Sequence, residues 1–176
     1  YFDGMQFTTF RHDPQKAGTI LSDLVKTVFT DSRGTTWVGS SGGLQIFDRE
    51  KNVFHSVSFG EIAIASLPYV SSIVELHDRN QILVSLSGVG ILVFNAETQT
   101  FDLNETNRLR DLIQSNFPGN LFIDSGGLVW AYSEQGNFLK INLENKTVQN
   151  IQWENLGFLG SEKPIVSAMA EDPKTG

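Results

Sequence analysis

The sequence predicts an all-β fold, a segment of a β-propeller made of four-stranded antiparallel blades, and three observations predict it. A unit of four short strands separated by tight turns occupies Val25–Val57. Its turn aspartate returns at Asp31, Asp78, Asp124 and Asp172, in steps of 47, 46 and 48 residues. Its third-strand opener returns independently at Leu44, Ile91 and Phe138, 47 residues apart each time. Four-stranded repeats of roughly 40–50 residues mark propeller blades, because a single sheet cannot bury both of its faces and must stack on its neighbours.

The first unit reads as strands Val25–Thr30, Thr35–Ser40, Leu44–Asp48 and Val53–Val57, separated by Asp31-Ser32-Arg33-Gly34, Ser41-Gly42-Gly43 and Arg49–Asn52. In each unit the aspartate is expected to accept bonds from turn backbone amides, while glycine supplies the positive φ of a tight reversal. Ahead of this unit, Phe2-Asp3 followed by Phe7 matches Phe47-Asp48 followed by Phe54, so Tyr1–Phe10 reads as the end of a blade. Arg11–Leu24 is a polar connection and Ser58–Val70 an unusually apolar one. The second unit, Ser71–Leu103, is the most degenerate, with Leu83 where the first has Trp37. Between it and the third, Leu109, Leu112 and Ile113 are spaced for a short amphipathic helix, with Thr106 or Asn107 as its cap. The third unit runs Asn120–Ile151 with Trp130 in the position of Trp37, and Ile165–Asp172 opens a fourth. Blades are thus expected at 25–57, 71–103 and 120–151, partial ones at 1–10 and 165–176, and all belong to one propeller domain. Val28, Trp37, Val38, Leu44, Ile46, Val84, Ile91, Val93, Ile123, Trp130 and Phe138 are expected to be largely buried between blades.

Composition narrows the function. A net charge of −7 and a pI near 4.9 argue against a nucleic-acid or anionic-membrane surface, which needs a basic face. With no cysteine there is no disulfide framework and no thiolate metal site. No apolar run reaches transmembrane length, so any anchor is expected in regions outside these residues. No Gly-x-Ser-x-Gly, His-Glu-x-x-His or Walker pattern occurs, and Gly88-Val89-Gly90 lacks the strand-to-helix setting of a dinucleotide loop. His12, His55 and His77 fall in three unrelated contexts, which disfavours a shared metal. A calcium loop at Asp31 or Asp124 is disfavoured as well, since each turn offers one carboxylate. No catalytic residue, metal or cofactor is assigned.

The run Asp31-Ser32-Arg33-Gly34-Thr35-Thr36-Trp37-Val38-Gly39-Ser40-Ser41-Gly42-Gly43-Leu44, with Phe47-Asp48 and Phe54 after it, resembles the two-component regulator propeller repeat. So does the preceding Phe7…Phe10-Arg11-His12-Asp13-Pro14…Leu21-Ser22…Val25. The likeness covers the whole chain in rhythm but only Phe7–Val57 in detail, because the third unit replaces Gly-Gly-Leu with Gln135-Gly136-Asn137-Phe138. The resemblance implies the periplasmic sensor region of a Bacteroides-type hybrid two-component system held in the inner membrane, with histidine kinase activity elsewhere in the protein. It further implies an oligosaccharide ligand and control of polysaccharide-utilisation genes. A propeller-type lyase or glycosidase and an interaction scaffold are the alternatives.

In a propeller the second-to-third turns and the blade connections leave on one face, and here that face carries the length variation, which places the binding side there. Its connections supply Arg11, Tyr69, Arg108, Arg110, Trp153 and Phe158, the aromatic platforms and planar donors expected to take the ligand. Trp153 and Phe158 could equally seal the gap between blades. The remaining blades or a second copy of the chain are the other expected partners.

Overall fold

The computed structural model describes residues 7–62, 69–113, 119–133, 136–152 and 166–172. Among these, twelve strands form three antiparallel sheets of four, each in simple meander order. The first sheet contains β1 (Val25–Thr30), β2 (Thr36–Ser40), β3 (Gly43–Asp48) and β4 (Val53–Ser56). The second contains β5 (Val70–Leu76), β6 (Gln81–Leu86), β7 (Gly90–Asn95) and a two-residue β8 (Thr100–Phe101). After the helix α1 (Leu103–Ile113), the third sheet is built from β9 (Asn120–Ile123), β10 (Val129–Tyr132), β11 (Phe138–Asn142) and β12 (Thr147–Ile151). The all-β class and the four-stranded antiparallel unit expected from the sequence are what the structure shows.

Side chains alternate across each sheet with a period of two, so register decides which neighbour a residue meets. Phe29, Trp37 and Ile46 are aligned across β1, β2 and β3. They face Ile82, Val84 and Phe94 of the second sheet, where the Trp37 and Phe94 rings meet edge to face at 4.9 Å. Gly39 lies on the same face, and a Cβ there would stand 2.6 Å from both Thr27 and Val70, so this close approach requires glycine. The opposite face of the second sheet presents Leu76, Leu83 and Val93 to Leu121, Val129, Ala131 and Ile141 of the third. Leu83 therefore does in the second sheet what Trp37 does in the first. Trp130 repeats the position in the third, with the Lys140 ammonium 5.1 Å above its ring.

The turn aspartates do more than expected in two sheets. Asp31 Oδ1 accepts from the Arg33 and Thr35 amides, and its Oδ2 accepts from the Trp37 indole at 2.9 Å. Asp124 does the same with the Leu128 amide and the Trp130 indole at 2.8 Å. Each turn is then tied to the next stretch of chain. The Ser32 amide and hydroxyl donate to the two carboxylate oxygens of Glu75 at 2.8 and 2.6 Å, and Ser125 repeats this with Glu171 at 2.8 Å for both bonds.

The second sheet departs from this scheme, and Asp78 is not the counterpart of Asp31. Because Thr30 and Glu75 stand at the same register position in β1 and β5, the residue matching Asp31 is Leu76, two places earlier. The turn there is a 3-10 turn over His77–Arg79, closed by Asn80 in the left-handed region at φ 52° rather than by a glycine. Neither an indole nor a serine follows, and the third sheet carries Ile123 where the second carries Glu75.

Four expected burials also change. Val28 is 63% exposed, because on its face of the first sheet Phe10, Ile20 and Phe54 gather over Val38 and Phe47 of β2 and β3 and leave β1 uncovered. Ile46, Ile123 and Trp130 are half-buried rather than sealed. The helix is present, but its cap is Asp102, whose carboxylate accepts from the Glu105 amide at 2.9 Å. Thr106 lies inside α1 and is fully buried, and its hydroxyl accepts from the Val93 amide at 3.0 Å. It takes over the edge bond that the short β8 leaves unmade on β7.

Candidate ligand-binding groove

The connection leaving the first sheet builds one wall of a groove. Past β4, the Val57 amide donates to the Leu44 carbonyl at 2.9 Å, and the Ser58 hydroxyl then accepts from the Gly60 amide at 3.2 Å. That reversal passes through Gly60 at φ 62° and sets Phe59 on the Phe101 ring, with centroids 5.2 Å apart and planes 28° from parallel. Phe101 in turn meets Phe94 edge to face at 5.2 Å, which anchors the pair in the core shared by the first two sheets. Ile62 closes the wall and is buried.

The opposite wall comes from the turn between β7 and β8. Gln99 takes a positive φ of 58°, and its side-chain nitrogen donates to the Ala96 carbonyl at 2.7 Å, so Oε1 is left as an acceptor. The resulting groove has a volume of about 520 Å³, within the range of small-ligand sites. Its floor is Ile46, Val57, Phe94 and the Phe59–Phe101 pair, and its polar groups are Ser56, Ser58, Glu61, Gln99 and Thr100. Glu61 is exposed and carries the groove's charge.

A second groove, about 780 Å³, lies between the second and third sheets. It is open for reasons already visible in the turns: the Ser–Glu tie is missing at this junction, and β8 gives way to α1 after two residues. Leu76, Leu83, Val93 and Leu109 make its floor, while Arg79, Arg108 and Lys146 alternate with Glu105, Asp111 and Glu144 on its rim. A smaller recess of about 330 Å³ adjoins it at the turns, sharing Leu76, Arg79, Leu143 and Glu144. Among the described residues neither lining contains a phenylalanine, tyrosine or tryptophan ring.

The residues expected to take a ligand are distributed over separate elements. Arg11 pairs with Asp23 at 3.4 Å inside its own connection. The His12 amide, with Arg11 beside it, holds the Asp23 carboxyl below the usual carboxylate range. Tyr69 lies under the Lys26 ammonium at 5.4 Å. Arg108 pairs with Glu105 one turn back on α1 and lines the second groove, whereas Arg110 donates to Asn107 at 3.4 Å. Trp153 and Phe158 lie outside the described residues. Among the described residues no hydrogen bond or ion pair joins any two of Arg11, Tyr69, Arg108 and Arg110. The three histidines are also apart: His12 donates to the Ile20 carbonyl at 2.8 Å, His55 stands 3.8 Å from Asp48 and His77 3.9 Å from Glu75.

Phe59, Glu61, Gln99 and Phe101 were not singled out by the sequence. The signal available was Phe59-Gly60-Glu61, an aromatic and a free acid flanking a glycine inside an otherwise apolar connection.

No family model and no curated protein matches the chain. Solved structures do. An extracellular domain of the one-component system BT4673 from B. thetaiotaomicron superposes with a TM-score of 0.65 at 15% identity, over 87% of this chain and 20% of that one. The extracellular domain of the hybrid two-component system BT3049 from the same organism gives 0.61 at 13% identity, over 81% and 18%. A second structure of BT4673, described as a hybrid two-component system, gives 0.63 at 14% identity, over 87% and 20%. The chain spans about a fifth of the length of these neighbours, and it shares the fold of that part of their extracellular domains.

Proposed function

We propose that the chain is part of a ligand-sensing β-propeller in the periplasmic region of a hybrid two-component system. In this reading an oligosaccharide binds it and the signal controls genes for polysaccharide use, with the kinase and the inner-membrane anchor in other parts of the protein. One observation carries the ligand: the groove between the first two sheets pairs an aromatic platform with hydrogen-bonding side chains at its edge. Sugar rings offer an apolar C–H face to an aromatic ring and hydroxyls to planar acceptors, and Phe59, Phe101, Glu61 and Gln99 supply both kinds of contact. Among the described residues the second groove has charges but no such platform.

The test is a glycan array on the intact sensor region, followed by calorimetry on the oligosaccharides that bind. Phe59→Ala should weaken binding about tenfold, in line with roughly 1.5 kcal/mol for a lost aromatic contact. Phe59 is half-buried, so the melting temperature should fall by only a few degrees. Unchanged affinity in Phe59→Ala with loss in Arg110→Ala or Trp153→Ala would move the site to the connections around α1 and β12.

A further inference from the structure

The charge of the groove between the first and second sheets selects among sugars. Of the described side chains lining it, Glu61 alone is ionisable; the others are apolar or neutral and polar. No hydrogen bond or ion pair holds the Glu61 carboxylate among the described residues, in contrast to Asp23, Asp48 and Glu105, each of which has a cation beside it. No cation is among the described residues that line this groove: Arg79, Arg108 and Lys146 line the other one, and Arg33, although it donates to the same Ala96 carbonyl as the Gln99 side chain in the groove's wall, is outside the lining. The surrounding field has the same sign, since the chain carries a net charge of −7. A uronate or sulfated sugar entering this groove meets an unpaired carboxylate and no cation among the described residues of its lining. A hydroxylated sugar meets acceptors at Glu61 and Gln99, and a protonated amine on the sugar meets an ion-pair partner.

We infer that this groove takes neutral and amino-bearing sugars and rejects acidic ones, with Glu61 as the residue that sets this specificity. The inference rests on the carbohydrate reading of the same groove. One like charge a few ångströms away in a largely solvated site amounts to roughly five- to tenfold in affinity.

Matched oligosaccharides differing at one position, with a hydroxyl, an amine or a carboxylate there, are titrated into the intact sensor region and followed by chemical-shift perturbation. The expected order is amine tightest, hydroxyl next and carboxylate weakest by about five- to tenfold, with the spread narrowing as salt is raised. Glu61→Gln should bring the three affinities together, and Glu61→Lys should reverse the order. Glu61 is exposed, so folding is unaffected, and the readout is the ratio of affinities among the three matched sugars rather than any one affinity. An acidic sugar that binds the wild type as tightly as its neutral match, or an order that Glu61→Gln leaves intact, overturns the charge assignment while leaving the groove as a sugar site. Absence of binding by every sugar removes the carbohydrate reading and this inference together.

Discussion

At the scale of single residues, the aspartate ahead of each tight turn shows how a short motif divides its work between local and tertiary structure. Asp31 is only 6% exposed, yet both of its oxygens are used, one on the turn amides and one on the Trp37 indole. The same carboxylate therefore shapes the reversal and fixes the rotamer of the ring that fills the gap between sheets. Removing it strands buried donors, a cost of about 1–3 kcal/mol. Asp31→Ala and Asp124→Ala are each expected to lower stability by about 2 kcal/mol in urea denaturation. Asp78→Ala should stay within about 0.5 kcal/mol, because Asp78 is exposed on a 3-10 turn that closes without it. Equal losses at all three positions would mean that the second turn uses its aspartate after all. The spacing of 47 and 46 residues made Asp78 look like a member of the series. What spacing alone does not reveal is that β5 runs one residue beyond β1, to Leu76, before its chain turns.

At the scale of elements, strand and turn were legible because alternation and glycine punctuation are local properties. The repeat of Leu44, Ile91 and Phe138 located the third strands, and the spacing of Leu109, Leu112 and Ile113 located α1. The helix cap was misplaced for a tertiary reason. Thr106 is a good capping residue in isolation, but its hydroxyl is claimed by the Val93 amide, and Asp102 with Glu105 opens the helix one turn earlier. Thr106→Val keeps the shape and leaves that amide buried without a partner, so it is expected to cost about 1–2 kcal/mol. Asp102→Ala should cost about 1 kcal/mol through the lost cap. Hydrogen exchange distinguishes the two: Thr106→Val should speed exchange of the Val93 amide selectively, whereas Asp102→Ala should fray the first turn of α1. A Val93 amide that exchanges equally fast in the wild type and in Thr106→Val would deny the hydroxyl its role. The candidate groove was illegible at this scale because Phe59 and Phe101 belong to different repeats, and only the stacking of two sheets brings them together.

At the scale of the whole molecule, the stacking of sheets leaves one apolar surface uncovered among the described residues. Leu24 and Val28 are each 63% exposed and Val25 is 40% exposed, all on or beside β1, which is an edge strand of its sheet. Two features blunt that edge for strand addition: a register shift between Val25 and Thr27, and Lys26 between them. The face itself has no such protection. The 176-residue chain in isolation is therefore expected to associate with itself through the face of β1, not its edge. Burying one valine contributes at least about 1.5 kcal/mol, or roughly tenfold in an association constant. Val28→Asp puts a charge on an exposed side chain in the patch, so it should lower the melting temperature by a few degrees at most and shift sedimentation profiles at tens of micromolar from mixed species toward monomer. A wild-type chain that sediments as a monomer would refute the association itself, and an association that Val28→Asp leaves unchanged while Lys26→Ala strengthens it would show that the edge and not the face governs contact.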